Sequence, residues 1–157
     1  MSNILVIGST GMVGSRIVNE AVRRGHTVTA ASRSGKPVDG AARATAVELG
    51  DTDTVAKLIE APETDVTIIA VSPDRTGGST QPLVNAHKKL IDRGVKGRVL
   101  IVGGAGSLQH EDGSLLVDGP EFPEEYKAEA QAFVEILNLY RNSDRTSTML
   151  SPSPASA

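Results

Sequence analysis

Gly8, Gly11 and Gly14 follow one another at three-residue intervals, directly behind the apolar run Asn3-Ile4-Leu5-Val6-Ile7 and directly ahead of a segment with helical spacing. Glycines so placed suit a strand that turns sharply into a helix, where the backbone needs conformations and close approaches that a side chain would block. That single turn constrains the rest of the chain, because a strand leading into a helix is the first half of a βαβ unit.

The remaining sequence repeats the alternation. Short β-branched runs predict strands at 3–7, 27–31, 44–48, 66–71, 98–102 and, more weakly, 147–150. Between them, Met12, Val13, Ile17, Ala21 and Val22 mark one face of a first helix, closed by Arg23, Arg24 and Gly25. A short helix over 52–61 is expected to be capped by Asp51 or Thr52. A third runs over 81–93 with Pro82 in its first turn and Gly94 after its end, and a fourth over 123–142 with Glu124 and Glu125 in its first turn. Strands separated by helices on this scale make a parallel sheet covered on both faces, an α/β doubly wound fold of three αβα layers and about six strands. With 157 residues and no interdomain linker, the expectation is one domain over 1–150 and a flexible Ser/Pro/Ala tail over 151–157.

Composition narrows the class. The chain is 39% hydrophobic and 22% charged, with no apolar run near the roughly 20 residues a spanning helix needs. A net charge of −3 with dispersed basic residues gives no footprint for nucleic acid, so neither nucleic acid nor membrane is an expected partner. The absence of cysteine and of a basic, cleavable leader suits the cytoplasm. His26, His87 and His110 have no accompanying ligand spacing and predict no metal site; each is expected to be structural or exposed.

Ligands of such sheets bind beyond the carboxyl ends of the strands. There the first glycine permits the tight turn, the second the approach of a pyrophosphate and the third close helix-strand packing, while the helix amino terminus offers N–H groups and partial positive charge. Gly8, Gly11 and Gly14 are therefore read as a dinucleotide cradle, with Ser9, Thr10, Met12 and Val13 supplying N–H or hydroxyl contacts. A bare strand-helix turn is the competing reading. Near the end of the second strand stand Ser32 and Arg33, where a carboxylate would suit NAD. Arg33 can pair with a 2′-phosphate instead, so NADPH is favoured over NADH, unless Arg33 is simply a solvated loop residue. Ala70, Val71 and Ser72 at the fourth strand end, with Gly103 and Gly104 at the fifth, are expected to line the nicotinamide end of the cleft.

The spacing G-x-x-G-x-x-G, with "GSTGMVGSRIVNEAVRRGHTVTAASR", "IVGGAGSL" and "FPEEYKAEA" in that order, resembles an atypical branch of the short-chain dehydrogenase/reductases. That branch comprises NAD(P)H-binding Rossmann proteins assigned as NADH-flavin reductases and related to biliverdin-IXβ/flavin reductase. The resemblance covers essentially the whole chain and implies a reductase passing hydride from NAD(P)H to a flavin-like acceptor. It also implies an adenine-side role for Asp51, which competes with helix capping. Ser107 and Tyr126 fall roughly where the superfamily carries its catalytic serine and tyrosine. The position four after Tyr126 is Ala130 rather than the superfamily's lysine, so the proton-relay pair is not supported. Tyr126 also heads the series Tyr126, Ala130, Phe133, Leu137, Tyr140, spaced as a buried helix face, and Ser107 reads equally well as a turn hydroxyl. Transfer to a flavin needs no dedicated protein acid. Relatives usually continue past the sixth strand, so a shortened substrate side is expected here, with weak turnover or completion by a partner subunit. The alternative function is a non-catalytic NAD(P) sensor. The acceptor and any self-association are left open.

Overall fold

The computed structural model describes residues 2–72, 79–102, 124–142 and 147–150. Its elements run β1 (Asn3–Ile7), α1 (Met12–Arg23), β2 (Thr27–Ser32), β3 (Arg43–Ala46), α2 (Thr52–Glu60), β4 (Val66–Ile69), α3 (Gln81–Arg93), β5 (Val99–Val102), α4 (Glu124–Arg141) and β6 (Ser147–Leu150). All neighbours pair in parallel, in the order β3-β2-β1-β4-β5-β6. Every strand and helix expected from the periodicity is present. The tail over 151–157 and the stretch over 103–122 lie outside the described residues.

The strand order reverses direction at β1. The chain first moves from β1 to β2 and β3, then returns to β4 on the other side of β1 and continues outward. Parallel crossovers are right-handed, so reversing the direction of travel moves the helices to the opposite face. The core follows this rule. Val18 and Ala21 of α1 pack with Val6 and Val28 on one face, flanked by Ile4, Ile17 and Val22. Val55, Ala56 and Ile59 of α2, Leu83, Val84, Ala86 and Leu90 of α3, and Ala132, Phe133, Ile136 and Tyr140 of α4 cover Leu5, Ile7, Ile69, Val99 and Ile101 on the other. The result is three layers, with the reversal between β1 and β4 opening a crevice at their carboxyl ends.

Expectations about faces and boundaries change in four elements. The third strand is shifted: its ladder with β2 ends at Ser32 opposite Ala46, one further N–H, that of Val47, donates to the Ser32 carbonyl at 2.8 Å, and the chain leaves the sheet. Val47, expected within the strand, and Leu49 just after it instead enter the core beyond the sheet edge. The fourth strand stops at Ile69 because the partner strand β1 ends at Ile7; the N–H of Ala70 still donates to the Ile7 carbonyl at 2.8 Å. On α1 the buried positions are Gly14, Val18 and Ala21, whereas Met12 and Val13 are 63% and 42% exposed. The helix begins beyond the end of β1, so its first turn has no sheet beneath it.

The α4 face is centred on Ala132, Phe133, Ile136 and Tyr140, with Leu137 only half-buried. Period 3.6 allows either Ile136 or Leu137 to lead, and packing in the core shared with α3 and the sheet selects Ile136. The Tyr126 side chain lies outside what is described. His87 is buried on α3, as a structural residue: its Nδ1 and the Tyr140 hydroxyl are 2.8 Å apart and the rings meet edge to face. His26 is half-buried, and its Nδ1 accepts the backbone N–H of Ser2 at 3.0 Å. Among the described residues no helix is long and apolar enough to cross a membrane, and no cluster of three His, Asp or Glu side chains suited to a metal occurs.

Candidate dinucleotide site

The first glycine is where backbone geometry is most demanding. Gly8 has φ +91°, and a Cβ there would lie 2.5 Å from the Ala70 carbonyl oxygen at the end of β4. Gly14 is packed harder still, since its Cβ would sit 1.9 Å from the Gly8 carbonyl oxygen. These two glycines bring the start of α1 down onto the turn. Gly11 differs: a Cβ would meet only the Gly8 carbonyl, at an ordinary 3.5 Å, and its φ of −72° suits any residue. The fold does not require glycine at 11; close approach of something outside the protein would.

Gly11 is also the N-cap of α1, and it has no side chain to cap with. The first turn carries no acidic residue, so the N–H groups of Met12 and Val13 and the positive end of the helix dipole face outward unneutralised. The turn itself is held rigidly. The N–H groups of Gly8 and Ser9 and the Ser9 hydroxyl all donate to the Ala31 carbonyl of β2, at 2.8, 3.1 and 3.2 Å. Ser9 is thereby corrected from a ligand contact to an anchor: it is fully buried and its hydroxyl is committed inward. Thr10, Met12 and Val13 are exposed at the turn. Met12 and Val13 are also the exposed large hydrophobic residues among those described, an apolar surface at the mouth of a polar cradle.

At the end of β2 the buried Ser32 is likewise turned inward. Its Oγ accepts the Gly35 N–H at 3.1 Å, and the Lys36 N–H donates to Ser34 Oγ at 3.3 Å. Ser32 shapes the loop rather than presenting a hydroxyl to solvent. Arg33 projects into solvent with its side chain 82% exposed, 4.0 Å from the carboxylate of Glu48. Asp51 occupies the N-cap position of α2, yet its carboxylate makes no backbone cap; Oδ2 accepts the Thr54 hydroxyl at 2.8 Å.

Ala70 and Val71 are half-buried and Ser72 exposed at the end of β4, with Ala70 and Val71 packed directly against Gly8. Thus Gly8, Gly11, Gly14, Met12, Val13, Arg33, Asp51, Ala70, Val71 and Ser72 share the carboxyl edge of one sheet. Gly103, Gly104 and Ser107 lie outside the described residues, and Tyr126 is placed on α4 by backbone alone. Sequence reasoning missed Glu48, because its nearness to Arg33 depends on the register of β3 against β2.

Comparison with known proteins agrees with this geometry. A family profile described as NAD(P)H-binding matches residues 8–155. The uncharacterised protein YwnB of Bacillus subtilis (strain 168) is 35% identical over 153 residues, covering 94% of this chain and 70% of that protein. A solved Streptococcus pneumoniae TIGR4 protein, proposed to be an NADH-flavin reductase, superposes with a TM-score of 0.75 at 34% identity, over 97% of this chain and 72% of the other. A Burkholderia pseudomallei protein proposed to be exported gives 0.78 at 39% identity, over 97% and 72%. The chain accordingly belongs to the NAD(P)H-binding family, as an atypical short-chain dehydrogenase/reductase with a Rossmann-like fold.

Proposed function

We propose that this protein is an NADPH-dependent reductase whose acceptor is a flavin or a similarly conjugated ring. The observation that carries the reading is Gly11: a glycine the fold does not need, at the uncapped amino end of α1. Its lack of a Cβ leaves room for a pyrophosphate against the Met12 and Val13 N–H groups, with the helix dipole favouring negative charge. Ala70, Val71 and Ser72 then border the nicotinamide side, and Asp51 the adenine side, of the same edge.

The exposed Arg33 guanidinium supports a preference for the 2′-phosphorylated cofactor, through charge-assisted hydrogen bonds that a ribose hydroxyl cannot match. When bound, the reduced nicotinamide supplies the hydride. The chain's part is binding and orientation: Gly8 and Gly14 hold the loop, Ser9 fixes it to β2, and the apolar Met12 and Val13 exclude water at its mouth. Tyr126 has alanine, not lysine, four residues on, so no lysine is placed to lower its pKa for alcohol chemistry. The flavin acceptor is supported by resemblance to the Streptococcus pneumoniae protein's proposed activity.

The test is a fluorescence titration of the purified chain with NADPH and NADH, on wild type and Arg33→Ala, followed by NADPH oxidation with added flavin mononucleotide. Tighter NADPH binding that Arg33→Ala abolishes, together with flavin-dependent oxidation, is the expected result. Nucleotide binding without oxidation would move the protein to a sensing role, and absence of binding would end the reading.

A further inference from the structure

Arg33 does not meet an incoming phosphate alone. β2 and β3 stay side by side past their last ladder pair, with the Val47 N–H donating to the Ser32 carbonyl at 2.8 Å, which sets residues 33 and 48 on adjacent segments at the carboxyl edge of the sheet. The loop carrying Arg33 is held in place: the Gly35 N–H donates to both the Ser32 carbonyl and Ser32 Oγ, at 3.3 and 3.1 Å, and Gly35, at φ +71°, sits closely over Ala46. Two rigid backbones thus bring Arg33 Nη1 and Glu48 Oε1 to 4.0 Å, with both side chains mainly in water, 82% and 66% exposed.

We infer that Glu48 sets the cofactor preference by competing with the 2′-phosphate for Arg33. This inference rests on the NADPH reading of the same site. A phosphate needs the guanidinium's parallel N–H groups, and here a carboxylate 4.0 Å away, beyond hydrogen-bond length, competes through charge for the same cation. NADH, carrying a neutral 2′-hydroxyl, leaves the Arg33–Glu48 pair as it stands. Glu48 therefore damps the discrimination that Arg33 supplies and keeps both cofactors usable. An exposed pair has a modest worth, so the effect is expected at about two- to five-fold in the NADPH dissociation constant.

The experiment is titration of the full chain with NADPH and NADH for wild type, Glu48→Gln, Arg33→Ala and the double variant, at about 0.02 M and about 0.5 M salt. Glu48→Gln is expected to tighten NADPH by that factor and leave NADH unchanged. The gain should shrink at high salt and disappear in the Arg33→Ala background. An unchanged or weaker NADPH affinity overturns the inference, as does weaker NADH binding, which would make Glu48 an acceptor for ribose hydroxyls. A full gain without Arg33 also overturns it, since Glu48 would then act on the phosphate directly. If Arg33→Ala leaves the NADPH to NADH ratio untouched, the phosphate reading itself fails. If that ratio collapses while Glu48→Gln is silent, only the role of Glu48 fails.

Discussion

At the scale of single residues, the three glycines divide into two that the fold requires and one that it does not, which the proposed function assigns to the ligand. Gly14→Ala would drive a Cβ into the Gly8 carbonyl, a backbone atom that cannot step aside. The expected cost is about 1–3 kcal/mol, seen as a fall of several degrees in Tm. Gly11→Ala meets only ordinary van der Waals distance and should change stability by less than about 0.5 kcal/mol, while weakening NADPH binding about ten-fold or more. Thermal melts and nucleotide titrations on the two variants separate these outcomes, and equal behaviour of the pair would contradict the assignment. Met12 and Val13 teach a related lesson. As hydrophobic residues at helical spacing they read as core, but only contact with the sheet makes a helix face buried, and the first turn of α1 has none.

At the scale of elements, the contact of α3 with α4 contains a titratable group with no share in the site. His87 is 1% exposed, its Nδ1 lies 2.8 Å from the Tyr140 hydroxyl and its Nε2 has no partner among the described residues. Burial lowers its pKa from 6.5 to about 4, because the charged ring would lose its hydration. In that window the unfolded chain binds the proton and the folded chain does not. Stability is therefore complete above pH 6.5 and falls as pH drops towards 4, by about 3 kcal/mol. Denaturant melts at pH 7 and pH 4.5 should show this slope, and His87→Leu should flatten it. Tyr140→Phe removes the hydroxyl from a buried pair and should cost about 1–3 kcal/mol at pH 7. Melts that place it within about 0.5 kcal/mol of wild type would show the pair to be incidental.

At the scale of the whole molecule, the site exists because the strand order reverses at β1, leaving the α1 terminus, the β2 loop and the end of β4 on one edge. A ligand spanning that edge ties all three together, so NADPH at about a hundred times its dissociation constant should stabilise the fold by about 2.7 kcal/mol. Thermal melts should show a rise of several degrees in wild type that is lost in Gly11→Ala. Much of this organisation was already legible in local pattern. Short β-branched runs marked all six strands, Gly25 and Gly94 marked helix ends that both lie at positive φ, and the glycine triplet marked the turn. These are short-range properties: propensity, capping and backbone freedom depend on residues a few positions apart. Which of Ile136 and Leu137 lies inward, that the hydroxyls of Ser9 and Ser32 are turned inward, and that Glu48 stands beside Arg33 were not legible. Each depends on a partner distant in the chain: the core shared with α3 and the sheet for Ile136, the Ala31 carbonyl for Ser9, and the β2–β3 register for Glu48. Ser32 depends on the loop's closure onto Gly35. Local sequence specifies what an element is and where it stops. What it faces is set by packing across the sheet, where burial and hydrogen-bond pairing between remote segments choose among faces that periodicity alone leaves equivalent.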